Sequence, residues 1–140
     1  METFSSGRAP RARILLVDDD VETARLLARF LASEYEVTVA NDGVEGLAAA
    51  RTAHPDLIVT DVMMPRLDGF SMVRALRESP QSARVPVIFV TARTRAEDIL
   101  EGIQAGALHY LTKPIQLDKL AQKVHGALAR TSVRPPPPRK

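Results

Sequence analysis

"ILLVDDDVETA", Ile14 to Ala24, drives four consecutive apolar residues straight into three aspartates. An unbroken apolar run of this length is the pattern of a strand covered on both faces. After it, Val21, Ala24, Leu27, Ala28 and Leu31 recur at helical spacing and share one face. A strand therefore gives way to a helix within three residues, and those residues are Asp18, Asp19 and Asp20. Adjacent carboxylates repel, and each costs free energy to leave water. Asp20, directly before the helix, stands at the N-cap position, where a carboxylate accepts a backbone N–H and favours the positive helix end. Asp18 and Asp19 are left needing another reason to sit at a strand end.

The same alternation continues down the chain. "LIVT" (57–60), "VIFVT" (87–91) and "YLT" (110–112) read as further buried strands, and "EVTVA" (36–40) alternates like a strand nearer a sheet edge. Phe70, Val73 and Leu76 form a helical stripe, as do Leu117, Leu120, Ala121, Val124 and Leu128. Ile99 and Ile103, followed by Gly106, suggest a helix with a glycine stop, and a fifth, alanine-rich helix covers Val44 to Arg51. Five βα units with short connections imply an α/β fold, a parallel sheet with helices on both faces. Right-handed crossovers bring all strand C-termini to one edge, where ligands of such sheets bind.

Composition narrows the class. The 140 residues suit one domain; they contain no cysteine, which excludes disulfides, thiolate metal sites and cysteine nucleophiles. No apolar run approaches the roughly 20 residues of a membrane span, and the basic start lacks the apolar core of a secretory signal, so a cytoplasmic protein is expected. The net charge is +2, but seven of the 19 basic residues and one of the 17 acidic ones lie in residues 1–13 and 130–140. Residues 14–129 therefore carry −4, which argues against nucleic-acid binding by this body. Residues 1–12 read as a flexible basic arm, 13–129 as the folded domain and 130–140 as a Pro/Arg-rich flexible tail. The prolines of "RTSVRPPPPRK" cannot continue a helix, and the tail reads as an extended linker rather than an SH3-type ligand.

Strand ends collect the reactive groups. Asp18 and Asp19 follow the first strand, Asp61 follows "LIVT", Thr91 ends "VIFVT", and Lys113 follows "YLT". The topology brings three carboxylates, a hydroxyl and an ammonium to one edge. Hard oxygen donors without Cys or His favour Mg²⁺, with Mn²⁺ as a substitute. A Mg²⁺ held by carboxylates suits phosphoryl chemistry, and an aspartate can itself be the nucleophile. Lys113 can neutralise phosphoryl oxygens and Thr91 can donate to one. His54, His109 and His125 are scattered and read as neither ligands nor catalysts.

"VDDD", "TDVMMPRLDGF", "VIFVTA" and "YLTKPI", in this order and spacing, resemble the receiver domain of two-component response regulators over residues 13–129. The resemblance implies the doubly wound five-stranded parallel sheet of order 2-1-3-4-5. It implies Asp61 as phosphoacceptor, Asp18 and Asp19 as the Mg²⁺ pair, and the Met63 backbone carbonyl as a further ligand. Thr91 and Lys113 match the hydroxyl and lysine of the family, Tyr110 its switch aromatic, and Pro65 and Gly69 the loop after the acceptor. Met63 and Arg93 fall at the two positions that modulate the lifetime of the phosphorylated state. The side chains of Met63 and Met64 read as packing and spacer groups.

By the same resemblance, a histidine kinase or histidine phosphotransfer protein donates the phosphoryl group. Catalysis would be confined to the domain's own phosphorylation and dephosphorylation. The surface of the fourth helix, fifth strand and fifth helix then signals to a downstream protein whose identity the sequence does not carry. Leu108 and His109 stand where dimerising transcription-factor receivers carry an acidic pair, and Ile115 follows Lys-Pro; a monomer or weak dimer without direct DNA binding is expected. Either a stand-alone receiver or the receiver of a longer regulator, cut within "PPPP", fits the sequence, the first better. A Mg²⁺-dependent phosphohydrolase would need a second acid where Met63 stands. A pseudo-receiver would have lost an acid, Thr91 or Lys113, and all are present.

Overall fold

The computed structural model describes residues 2–4 and 11–133. The strands are β1 (Glu2–Phe4), β2 (Arg13–Val17), β3 (Glu36–Ala40), β4 (Leu57–Thr60), β5 (Val87–Thr91) and β6 (His109–Thr112). The helices are α1 (Val21–Leu31), α2 (Gly43–Ala53), α3 (Gly69–Arg77), α4 (Ala96–Ala105) and α5 (Leu117–Val133). They form one sheet in the order β1-β3-β2-β4-β5-β6. Strands β2 to β6 are all parallel, with chain-order ranks 2-1-3-4-5 across the sheet.

The unbroken apolar runs have the cause that their pattern implies. In β2, Ile14 and Leu16 face α1 and α5, packing with Leu27, Leu31, Leu120 and Val124. Leu15 and Val17 face the opposite side, with Phe70, Val73, Leu76 and Phe89. A strand between two helical layers has no wet face, so alternation disappears. Each fully buried Leu or Ile contributes on the order of 2 kcal/mol from burial.

Three features depart from the sequence reading. β1 pairs antiparallel with β3, Glu2 opposite Val39 and Phe4 opposite Val37, so the expected N-terminal arm supplies an edge strand. The last helix continues through Val133, past the expected boundary at 129. The rest of the expected arm and tail, residues 1, 5–10 and 134–140, lies outside the described residues. Third, Val21 and Ile103 are not core: both are more than half exposed. The α4 positions that turn inward are Gly102 and Ala105.

Candidate functional site

Pairing register sets the level of the site. Val17 of β2 pairs with Thr60 of β4, so Asp18 and Asp61 leave the sheet side by side. Thr91 pairs with Thr112, which puts Lys113 one residue beyond the same edge, its N–H donating to the Thr91 carbonyl at 2.8 Å. Asp18, Asp61 and Thr91 are buried, Asp19 and Asp20 exposed.

The aspartate triplet divides by bonding. Asp20 is the N-cap of α1: its carboxylate accepts from the N–H of Glu22 (3.1 Å) and Thr23 (3.4 Å) and from the Thr23 hydroxyl (2.9 Å). These bonds hold its pKa below the usual carboxylate value, the Thr23 hydroxyl foremost. The Asp20 N–H in turn donates to Asp18 Oδ1 at 2.9 Å, which fixes the inner carboxylate. Asp19 has no part in the cap.

Asp61 is fixed from its own loop. Its Oδ1 accepts the N–H groups of Val62 (2.6 Å) and Met63 (3.2 Å). The loop closes through the Gly69 N–H on the Val62 carbonyl at 2.8 Å. A Cβ at position 69 would collide with the Asp61 carbonyl, so this close approach requires glycine. Arg66 clamps the loop to Asp42, the N-cap of α2, through two bonds of 2.8 and 3.1 Å. The side chain of Met63 is 55 % exposed and so is not the packing group expected; Met64 packs at the margin of the core.

Lys113 joins the buried acids. Its Nζ donates to Asp61 Oδ2 at 2.8 Å and approaches Asp18 Oδ2 at 3.4 Å. Burial raises the pKa of Asp18, and the charge of Asp61 adds to this, against the Asp20 N–H and Lys113. Burial works against the Lys113 ammonium, but its bond to Asp61 and the two carboxylate charges outweigh it and raise its pKa. The group therefore stays charged. One carboxylate oxygen each of Asp18, Asp19 and Asp61 lie within 4.8 Å of one another. An all-oxygen donor set of this size and charge fits a hard divalent cation.

Around this centre, the Thr91 hydroxyl accepts the Arg93 N–H at 3.2 Å. The Tyr110 hydroxyl donates to the Arg93 carbonyl at 2.9 Å, and its ring stands 6.0 Å from that of Phe89. The Arg93 guanidinium is engaged by Asp98 at 3.2 Å. A hollow of about 480 Å³ beside the acids is lined by Asp19, Met63, Phe70, Arg93 and the ion pair Arg74–Glu101. None of the three histidines belongs to the acidic cluster.

Two contributors escaped the sequence reading. Gly102 in α4 is the seat of the Tyr110 ring: a Cβ there would lie 2.8 Å from Tyr110 Cδ2. Arg66, with Asp42, anchors the acceptor loop to a helix 24 residues away. Each depends on a contact between distant segments, for which neither residue carries a local signal.

Fold and site together define a doubly wound α/β domain with an acidic, lysine-buttressed pocket at the carboxyl edge of its sheet. Residues 14–125 match the family model of the response regulator receiver domain, and the chain belongs to that family. Response regulator PleD of Caulobacter vibrioides is 46% identical over 105 residues, which is 74% of this chain and 23% of PleD. The receiver domain of the Francisella response regulator 1452 superimposes with a TM-score of 0.80 at 38% identity, covering 86% of this chain and 99% of that one. The receiver domain of the sensor histidine kinase PA1611 from Pseudomonas aeruginosa has a TM-score of 0.79 at 32% identity, covering 85% and 98%; that structure has magnesium coordinated in its active-site cleft. The DNA-binding dual master transcriptional regulator RpaA of Synechocystis sp. is 38% identical over 120 residues, which is 85% of this chain and 50% of RpaA. Among the described residues, no helix is long and apolar enough to cross a membrane.

Proposed function

We propose that Asp61 is the phosphoacceptor of this receiver, taking the phosphoryl group of a histidine kinase or histidine phosphotransfer protein. The observation that carries the reading is the single ammonium of Lys113 shared between Asp61 and Asp18 beside Asp19. An Asp61 carboxylate oxygen attacks phosphorus, the phosphorus–nitrogen bond of the donor breaks, and the departing imidazole keeps the electron pair and takes up a proton. The Val62 and Met63 N–H groups hold the carboxylate in one orientation for in-line attack. Lys113 exchanges its bond to Asp61 for one to a phosphoryl oxygen, and Thr91, which accepts from Arg93, donates its own proton to another. Asp18, Asp19, Asp61 and the Met63 carbonyl would hold Mg²⁺, which would supply positive charge against the phosphoryl oxygens.

Drawing Thr91 and Lys113 toward the new phosphoryl group shifts the β5–α4 loop, whose Arg93 carbonyl holds the Tyr110 hydroxyl. Tyr110 thereby transmits the local charge to the surface of α4, β6 and α5, where a protein partner reads it. Leu108, His109 and Ile115 leave that face without the charged pairs of dimerising receivers, in keeping with a monomer or weak dimer. We read the domain as cytoplasmic, without direct DNA contact. The folded receiver works as a signalling module, alone or in a longer regulator. Met63 is apolar and Arg93 is tied to Asp98, so neither orients the water that would attack the acyl phosphate. Self-dephosphorylation is accordingly slow, over minutes to hours.

The test is intact-mass measurement after treatment with a small acyl-phosphate donor, with and without Mg²⁺. The expected result is gain of one phosphoryl group that needs Mg²⁺ and is absent in Asp61→Asn. No gain under any condition, or an equal gain in Asp61→Asn, overturns the assignment.

A further inference from the structure

An exposed ion pair contributes little to stability, because solvent screening and side-chain entropy offset the attraction. The Arg66–Asp42 pair, with the arginine side chain 60 % exposed, belongs to that class by energy, but its location gives it another use. Arg66 has a φ of 70°, in the left-handed region where a residue other than glycine is strained. Across it the Leu67 N–H donates to the Pro65 carbonyl at 2.7 Å, which makes Arg66 the apex of a γ-turn of the rare, strained hand. Such a backbone persists only where its surroundings hold it. On one side, Met64 and Leu67 pack against the core cluster that includes Phe70 and Met72. On the other, the Leu67 carbonyl lies so close to Gly43 that any Cβ there would collide with it. Arg66 Nε and Nη2 both donate to Asp42 Oδ2, at 3.1 and 2.8 Å. Asp42 Oδ1 meanwhile accepts the Glu45 N–H at 2.8 Å, so one carboxylate joins the start of α2 to the strained turn.

That turn continues directly from the backbone that fixes the acceptor carboxylate. Val62 and Met63, whose N–H groups hold Asp61 Oδ1, lead through Met64 and Pro65 to Arg66. We propose that Arg66 is a positioning residue for phosphoryl transfer, an inference that rests on Asp61 as the acceptor. Its lock on Asp42 keeps the strained turn in place. The turn in its place keeps the Val62 and Met63 N–H groups, and so the Asp61 carboxylate, in one orientation. Without the lock the turn relaxes and the carboxylate gains orientations that do not lead to in-line attack. The cost then falls on the rate of phosphorylation and hardly on global stability.

Two substitutions remove the lock from opposite sides. Asn tolerates a left-handed φ but is too short to bridge as arginine does, so Arg66→Asn spares the turn's backbone. Ser is a good helix cap, so Asp42→Ser removes the partner of Arg66 and keeps the start of α2. In the metal-free ¹⁵N-labelled chain, backbone order parameters at Val62 and Met63 should fall in both variants, while melting midpoints stay near the wild type. The phosphorylation rate at saturating Mg²⁺ and small acyl-phosphate donor should fall about fivefold or more in each. The double variant should be no slower than the worse single one, because both changes break the same contact. Unchanged order parameters at Val62 and Met63, or rate losses that multiply in the double variant, would overturn the positioning role. A wild type that takes up no phosphoryl group would instead defeat Asp61 as acceptor, and the metal-free order parameters would still decide whether the lock holds the loop.

Discussion

At the level of single residues, the three aspartates of the opening stretch have three bonding states, and this yields distinct substitution effects. Asp20 spends its carboxylate on the first turn of α1. Asn caps as well as Asp, so Asp20→Asn should leave both stability and Mg²⁺ affinity nearly unchanged, while Asp20→Ala, which removes the cap, should lower the urea midpoint. Asp19→Asn removes a charged donor from the cluster and should weaken Mg²⁺ binding at least tenfold by titration calorimetry. Equal losses in Asp19→Asn and Asp20→Asn would refute this division. His109 offers a test away from the site. Burial, then the charges of Lys123 and Arg130, lower its pKa below 6.5. The unfolded chain therefore binds this proton more readily, and the group's contribution to stability is full above pH 6.5 and lost as pH falls through the lowered value. Urea midpoints of the wild type should drop between pH 7 and 5 more than those of His109→Gln. Parallel curves would show that the histidine does not report this burial.

At the level of elements, what the sequence made legible follows from what local chemistry encodes. β3, β4 and β5 match their apolar or alternating runs residue for residue. Strands walled by helices on both sides must be apolar throughout, so the constraint is written into each residue. β1 has only three residues, held by backbone pairing to the β3 edge, and backbone pairing leaves no pattern in side chains. The candidate site residues were visible because they lie at or just beyond strand ends, where the topology alone brings them together. Gly102 was not visible, because its role depends on an aromatic ring from β6. Glycine inside a helix forfeits about 0.5–1 kcal/mol relative to alanine, a loss that the seat for Tyr110 explains. A double-mutant cycle separates the two terms. Gly102→Ala should be neutral to destabilising in the wild type, since the methyl group meets the ring and overpacking costs about 1–3 kcal/mol. The same change in a Tyr110→Ala background should stabilise by up to about 1 kcal/mol. Equal effects in both backgrounds would mean that the ring makes no use of the seat.

At the level of the whole molecule, the site sets two requirements against each other. The fold buries Asp18 and Asp61, and with Asp19 they give the sheet edge three carboxylates against the single ammonium of Lys113. This arrangement opposes folding, and a bound cation would offset it, which would link metal affinity to global stability. A ligand that binds only the folded chain stabilises it by about 1.4 kcal/mol at ten times its dissociation constant and about 2.7 kcal/mol at a hundred times. For a domain of this size each kilocalorie raises the melting midpoint by roughly 3–4 °C. Titrating MgCl₂ should therefore raise the midpoint steadily, by about 5 °C at the tenfold point, without saturating at higher concentration. Asp19→Asn should flatten that rise over the same range, while Asp20→Asn, whose carboxylate serves the helix, should preserve it. General screening of the −4 charge of residues 14–129 is the competing explanation, and NaCl at matched ionic strength isolates it. A rise of the same size in NaCl, or one that persists in Asp19→Asn, would remove the cation from the energetics of this fold.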